Sequence, residues 1–260
     1  MIFLSLFNTI DMNSFTEIPN DVIETLVKQS EYKKISQNVP KYYNLILTGS
    51  VGAGKSTLSQ LTYECFKRLN IKVQIYPEYI QYQHNNQNIG NLMLELRRKN
   101  IIDTETLQHF ILDIWNYQLD EKKFNEHNSI NILERLPDDA LYCFCKEAYE
   151  QNIISKESYY ILCQKYKHII DKHKVPVFRD CKLAIVENDN LMVALNQILE
   201  IIHNDFNNGI ENRMIGLITD EKRYIQRIKQ RGRISEIETD LEIFKHYNQF
   251  YNNMYNEMMN

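Results

Sequence analysis

TGSVGAGKST, residues 48–57, follows the apolar run YYNLIL, and its reading decides the fold. Gly49, Gly54, Lys55 and Ser56 satisfy the spacing G-x-x-x-x-G-K-S of a phosphate-binding loop. That spacing carries weight only between a strand and a helix, and both are legible. Residues 43–48 (YNLILT) are continuously apolar enough for a parallel strand covered on both faces. Beyond Lys55, the residues Leu58, Leu61, Cys65 and Leu69 recur at the three- and four-residue spacings of a helix. Glycines let the backbone turn so that N–H groups converge on one phosphate, and the helix N-terminus adds its positive end. Gly49, Ser50, Val51, Gly52, Ala53, Gly54, Lys55, Ser56 and Thr57 are therefore the expected nucleotide-binding segment. Lys55 is placed for the β- and γ-phosphates, and the Ser56 hydroxyl for Mg²⁺.

Further strands are expected at 71–76 (IKVQIY), 129–133 (SINIL), 181–187 (CKLAIVE) and 214–219 (MIGLIT). Helical patterns fill 90–126 as two helices, then 139–151, 155–171 and 191–204. The chain finishes in helix from about 221 to 258, interrupted near 231–239. This alternation predicts an α/β chain: three layers, a largely parallel and five-stranded sheet, the P-loop NTPase architecture, and a helical arginine-rich lid at about 221–240. Residues 1–40 read as an N-terminal extension and 41–260 as the P-loop domain.

Composition narrows the setting. The 260 residues are 43% hydrophobic and 25% charged, which suits a globular domain with one filled core. A net charge of -4 argues against nucleic-acid binding. Five cysteines without a C-x-x-C pair suggest neither a disulfide framework nor a zinc site, and a cytoplasmic protein is expected. The apolar start MIFLSLFNTI lacks a basic leader and is too short to span a bilayer, so no membrane attachment is expected.

Three segments bear on the destination of the phosphate. In YPEYIQY, 76–82, Glu78 follows the second strand, where strand carboxyl ends line a ligand crevice; it could take a proton from an attacking hydroxyl, or be a plain surface glutamate. In NILERLPDDALYCF, 131–144, Glu134 suits Mg²⁺ and Arg135 suits an oxygen of the transferring group, or the two form an ordinary ion pair. In EKRYIQRIKQRGRISEIETDLEIF, 221–244, Arg227, Arg231 and Arg233 could close over a triphosphate, or belong to a solvated basic helix.

Taken together, the order of these segments resembles the deoxynucleoside kinase family, the group of the deoxycytidine, deoxyguanosine and mitochondrial-type thymidine kinases. The resemblance spans roughly residues 43–165 and 213–255. It implies phosphorylation of the 5′-hydroxyl of a deoxyribonucleoside by ATP with Mg²⁺, and a homodimer. It implies Glu78 as general base, Gln108 pairing with the nucleobase edge, and Phe144 stacking on the base. Glu134 and Arg135 match the family's ERS motif, oriented toward magnesium and toward the acceptor. Arg227, Arg231 and Arg233 match the lid arginines, and Glu236 the lid glutamate for the 3′-hydroxyl.

Departures accompany the match. Leu136 replaces the serine of ERS, and Ala140 and Leu141 replace a polar pair beyond it. Trp115 falls where the family shapes the pocket around a pyrimidine, or is a core residue. Arg98 stands in place of the tyrosine that helps hold the 3′-hydroxyl, or that tyrosine is displaced, and Tyr82 is one short of the expected aromatic spacing. The family's closing strand and helix are lacking after the lid; residues 181–204 read as that pair in altered chain order, or more plainly as an insertion. A thymidylate-type monophosphate kinase, with Arg97, Arg98 or Arg135 taking the acceptor phosphate, and a non-catalytic nucleotide-binding protein are the competing readings.

Overall fold

The computed structural model describes residues 40, 42–84, 87–124, 129–231 and 241–259. All but residue 40 of the expected extension at 1–40, together with Arg233 and Glu236, lies outside them. The main sheet comprises β1 (Tyr42–Thr48), β2 (Lys72–Tyr76), β5 (Ser129–Glu134), β6 (Lys182–Glu187) and β7 (Asn212–Ile218), with β3 (Gln83–His84) and β4 (Gln87–Asn88) forming a separate short ribbon. The order across the main sheet is β2-β5-β1-β7-β6, and every pairing is parallel. The expected strands are thus present with ends displaced by one or two residues; the β3–β4 ribbon, only two residues a side, has no periodicity to betray it.

Alternation along the strands sends side chains into two cores. Leu45 and Leu47 of β1, with Ile130, Ile132, Ile215 and Leu217, face α1 (Lys55–Arg68) and α6 (Leu191–Asn208). Ile46, Leu133 and Met214 face α3 (Thr104–Glu121) and α5 (Lys156–His173). Helices on both faces exclude water from the sheet, which is why its central strands carry so little polarity. One polar exception crosses the middle: Asn131 donates to Asn44, and Asn44 to Asn212, each at 2.8 Å. That ladder links the amides across three strands, leaving Asn131 Oδ1 without a partner among the described residues, and penalises a slip in register.

Local signals explain the helix starts. Asp103 accepts from the Thr106 N–H at 2.7 Å ahead of α3, Ser155 caps α5, and Asn190 accepts from both Met192 and Val193 ahead of α6. The short α2 (Ile89–Arg98) is capped by Asn88. A single helix expected over 139–151 is instead a π-helical stretch, Asp139–Cys145, running into α4 (Lys146–Glu150). The lid region begins as α7 (Glu221–Arg231), and α8 (Leu241–Met259) closes the chain, packing Tyr251, Met254 and Tyr255 near Leu183, Ile185 and Ile218.

Residues 181–204 are not an insertion beside the fold. β6 pairs with β7 from Lys182↔Arg213 to Glu187↔Ile218, and α6 buries Ala194, Leu195, Ile198 and Ile202 in the first core. β6 thus lies outside β7 in the main sheet while preceding it in the chain, the arrangement that the altered-order reading expects. No helix among the described residues is long and apolar enough to cross a membrane.

Candidate active site

Parallel register aligns the strand ends. Leu47 is opposite Glu134, Thr48 is opposite Gly216, and Tyr76 is opposite Leu133, so the segments leaving β1, β2, β5 and β7 meet on one edge. A cavity of about 820 Å³ opens there. Its lining brings together Gly52, Lys55 and Thr57 of the phosphate loop with Glu78, Gln108, Arg135 and Phe144.

The loop needs its glycines. Gly54 precedes α1 with φ of +92°, a conformation that L side chains rarely adopt, and a Cβ there would run into the Asn188 amide. Asn188 donates to the Ala53 carbonyl at 2.7 Å, fastening the loop from the end of β6. Lys55 is buried and donates to the carbonyls of Gly49 and Ser50 at 3.0 Å each. Burial draws its pKa down and the Arg135 charge adds to this, while Glu78 and Glu134 oppose it.

Glu78 and Arg135 are not a loose surface pair. Arg135 Nε donates to Glu78 Oε1 at 2.9 Å, and the arginine side chain is only 5% exposed. Burial works against ionisation of Glu78, but Arg135 and Lys55 outweigh it and hold its pKa at about 2. Arg135 itself has φ of +75°, an uncommon left-handed backbone for a residue with a side chain, held by its N–H bond to the Leu47 carbonyl at 3.0 Å. Its guanidinium stands 5.7 Å from the Phe144 ring and 5.1 Å from that of Tyr251.

Ser56 donates to Glu134 Oε2 at 2.7 Å, and the carboxylate is 2% exposed. A hydroxyl and a carboxylate oxygen converging beside the phosphate loop are the hard-oxygen donors that suit Mg²⁺. Burial pushes the Glu134 pKa up, with the Ser56 hydrogen bond pulling against it.

Gln108 is 5% exposed and accepts from the Cys145 thiol at 3.4 Å. Burial pushes that thiol up to about 12, so it remains a donor. Phe144 meets Tyr247 edge-on at 5.2 Å. Of the lid arginines, Arg227 donates to the Asn188 carbonyl at 2.7 Å and reaches the Gly52 and Ala53 carbonyls at 3.4 Å, while Arg231 lines the cavity.

Two expectations differ in the structure, and one open alternative is decided. Arg98 is exposed and absent from the cavity wall, where Arg97 stands, bonded to Thr104 and Asn100, because α2 turns its preceding residue inward. Tyr82 packs edge-on against Tyr117 at 5.8 Å, and Tyr79 lines the cavity in its place. Trp115 is a core residue, 5% exposed, that also walls a recess of about 20 Å³ beside Glu134 and Arg135. Leu136, in place of the serine, is wholly buried in the second core.

Sequence reasoning missed Asp139, Asn188 and Gln81. Asp139 lies 3.6 Å from Arg135, and accepts from Tyr251 at 2.8 Å and from the Leu136 N–H at 2.7 Å. Its position four residues after Arg135 was the available signal. Asn188 follows a strand whose place in the sheet only the pairing reveals. Gln81 donates to both Ser56 Oγ (2.8 Å) and Glu134 Oε2 (2.9 Å), a contact no spacing announces.

No curated protein sequence matches the chain. Among solved structures, a deoxyadenosine kinase from M. mycoides with bound dCTP matches at 21% identity and a TM-score of 0.50, over 82% of this chain and 84% of that one. A deoxyadenosine kinase from M. mycoides with products dCMP and a flexible dCDP bound gives 22% and 0.50 over the same shares. These likenesses bear on the fold. The deoxynucleoside kinase family model matches residues 45–188, more than half of the 260, from within β1 to Asn188 at the end of β6; the chain belongs to that family of phosphotransferases.

Proposed function

We propose that the protein transfers the γ-phosphoryl group of ATP to the 5′-hydroxyl of a deoxyribonucleoside, with the roles of its residues as follows. The observation that carries this assignment is that the paired Glu78 and Arg135 line the same cavity as the phosphate loop, Gln108 and Phe144. Residues 49–57 hold the triphosphate. Gln108 pairs with the base edge and Phe144 packs on its face. Glu78 takes the proton of the 5′-hydroxyl as that oxygen bonds to the γ-phosphorus, the bond to the β–γ bridging oxygen breaks, and ADP leaves.

A carboxylate held at about 2 is a feeble base, so Arg135 must loosen its grip when acceptor arrives and turn to the acceptor or the transferring group. Phosphoryl transfer tolerates weak basicity because positioning and charge stabilisation dominate it. Lys55, Arg227 and Arg231 neutralise the triphosphate, with Arg233 and Glu236 of the lid, outside the described residues, assigned to the phosphate and the 3′-hydroxyl. Ser56 and Glu134 would hold Mg²⁺, which supplies charge neutralisation on the phosphates when bound. A cytoplasmic homodimer belongs to the same proposal, and sedimentation of the purified chain tests the assembly.

The decisive assay follows γ-labelled phosphate from ATP·Mg²⁺ into each deoxynucleoside and each monophosphate. Monophosphate should form from a free nucleoside, and Glu78→Gln should lower kcat by about 10²–10⁴-fold. Diphosphate made from a monophosphate acceptor, or an unimpaired Glu78→Gln, would overturn the assignment.

A further inference from the structure

We propose that Gln81 is a built-in placeholder for the divalent cation: its amide holds the Ser56 and Glu134 oxygens together and must withdraw when the ion enters. The proposal rests on the assignment of Ser56 and Glu134 to Mg²⁺. Gln81 Nε2 lies 2.8 Å from Ser56 Oγ and 2.9 Å from Glu134 Oε2, and those two oxygens are themselves 2.7 Å apart. One NH₂ group therefore faces both proposed ligand oxygens at once, and a cation binding that pair would have to displace it.

The chemistry of the side chain suits this duty. Glu134 is 2% exposed, and among the described residues no arginine, lysine or histidine comes within ion-pair distance of it, so the Lys55 charge acts on it only from further off. A buried carboxylate without polar partners is strongly destabilising. An amide supplies hydrogen bonds without net charge, so it satisfies the oxygens yet competes poorly against a divalent ion. An arginine or lysine at the same place would compete on nearly equal terms.

The backbone gives Gln81 somewhere to go. It ends the single 3₁₀ turn Tyr79–Gln81, its side chain is half-buried, and the following Gln83 and His84 are exposed. The same turn begins at Glu78, whose carbonyl accepts from the Gln81 N–H at 2.9 Å. Withdrawal of the amide thus takes place in the turn that carries the proposed base.

Calorimetric titration of ADP at a series of Mg²⁺ concentrations tests the idea through binding, without turnover. The wild type is compared with Gln81→Met, which keeps length but loses the donors, Gln81→Asn, which is too short to bridge, and Glu134→Gln. With the competitor removed, the Mg²⁺ concentration giving half the enhancement of ADP affinity should fall roughly three- to tenfold in both Gln81 variants. Thermal stability without Mg²⁺ should fall in both, and Mg²⁺·ADP should restore it. A weaker Mg²⁺ response would make Gln81 a ligand, and an unchanged response would make it a bystander; either result overturns the placeholder. Glu134→Gln separates this failure from failure of the metal assignment: if that variant responds to Mg²⁺ as the wild type does, the assignment itself is wrong.

Discussion

Asp138 and Asp139 are neighbours with opposite surroundings. Asp139 faces Arg135, whereas Asp138 accepts from Tyr166 at 2.6 Å and from the Phe178 N–H at 2.8 Å, with no ion-pair partner among the described residues. Burial pushes Asp138 up to about 6, those two hydrogen bonds pulling against it. An unfolded aspartate titrates near about 3.9, so the folded protein holds this proton more tightly. The resulting stability is fully present below about pH 4 and is lost as pH rises through about 6. The stability difference between wild type and Asp138→Asn, from urea midpoints, should therefore change between pH 4 and 7, by on the order of 2 kcal/mol. A difference independent of pH would show that Asp138 ionises normally. Gln108 makes a second test at this scale. On the proposed role of Gln108, Gln108→Leu would abolish its hydrogen bonding to the base, and the KM for nucleoside should rise by roughly 10–100-fold while that for ATP stays put. Equal changes in both would instead mean that the cavity wall had collapsed.

Gly90 shows how an element positions the site. It opens α2, and a Cβ there would collide with the Tyr79 carbonyl, at the start of the turn that carries Gln81 and follows Glu78. Only a residue without a side chain lets α2 lie so close, and backbone cannot yield as the end of a flexible side chain can. Gly90→Ala should lower stability by about 2 kcal/mol or more and disturb acceptor binding more than ATP binding. Denaturant unfolding checks the first part, and a loss below about 0.5 kcal/mol would mean that the turn shifts freely. The π-helical stretch after β5 is a related case, for its wider winding carries Asp139, Phe144 and Cys145 on a segment whose periodicity read as ordinary α-helix.

For the whole molecule, the sheet order sets where stability resides. β5, β1 and β7 each have neighbours on both sides, while β2 and β6 stand at the edges. All six residues of β5 are buried, against one of five in β2. Amide hydrogen exchange should be slowest over 43–48, 130–134 and 213–217 and clearly faster over 72–75. Equal protection in β2 would point to a covering surface beyond this chain. The edge strand β6 also has a functional side, since Asn188 at its end ties down the phosphate loop and accepts Arg227 of the lid.

The sequence by itself determined the phosphate loop, the alternating α/β architecture and the three segments that supply the site. Those features are written in contiguous patterns: glycine spacing, apolar periodicity, and charged residues directly after strands. Tertiary structure alone decided the order of the strands, because β6 and β7 are nearly alike in apolar content and either could have taken the place beside β1. It also decided that Arg97 and Tyr79, rather than Arg98 and Tyr82, face the cavity: one step along a helix swings a side chain by about 100°, and Tyr82 lies just past the 3₁₀ turn that begins with Tyr79. The link from Gln81 to Ser56 and Glu134 spans 25 and 53 residues, and no local pattern records a contact that exists only once β2 and β5 lie side by side.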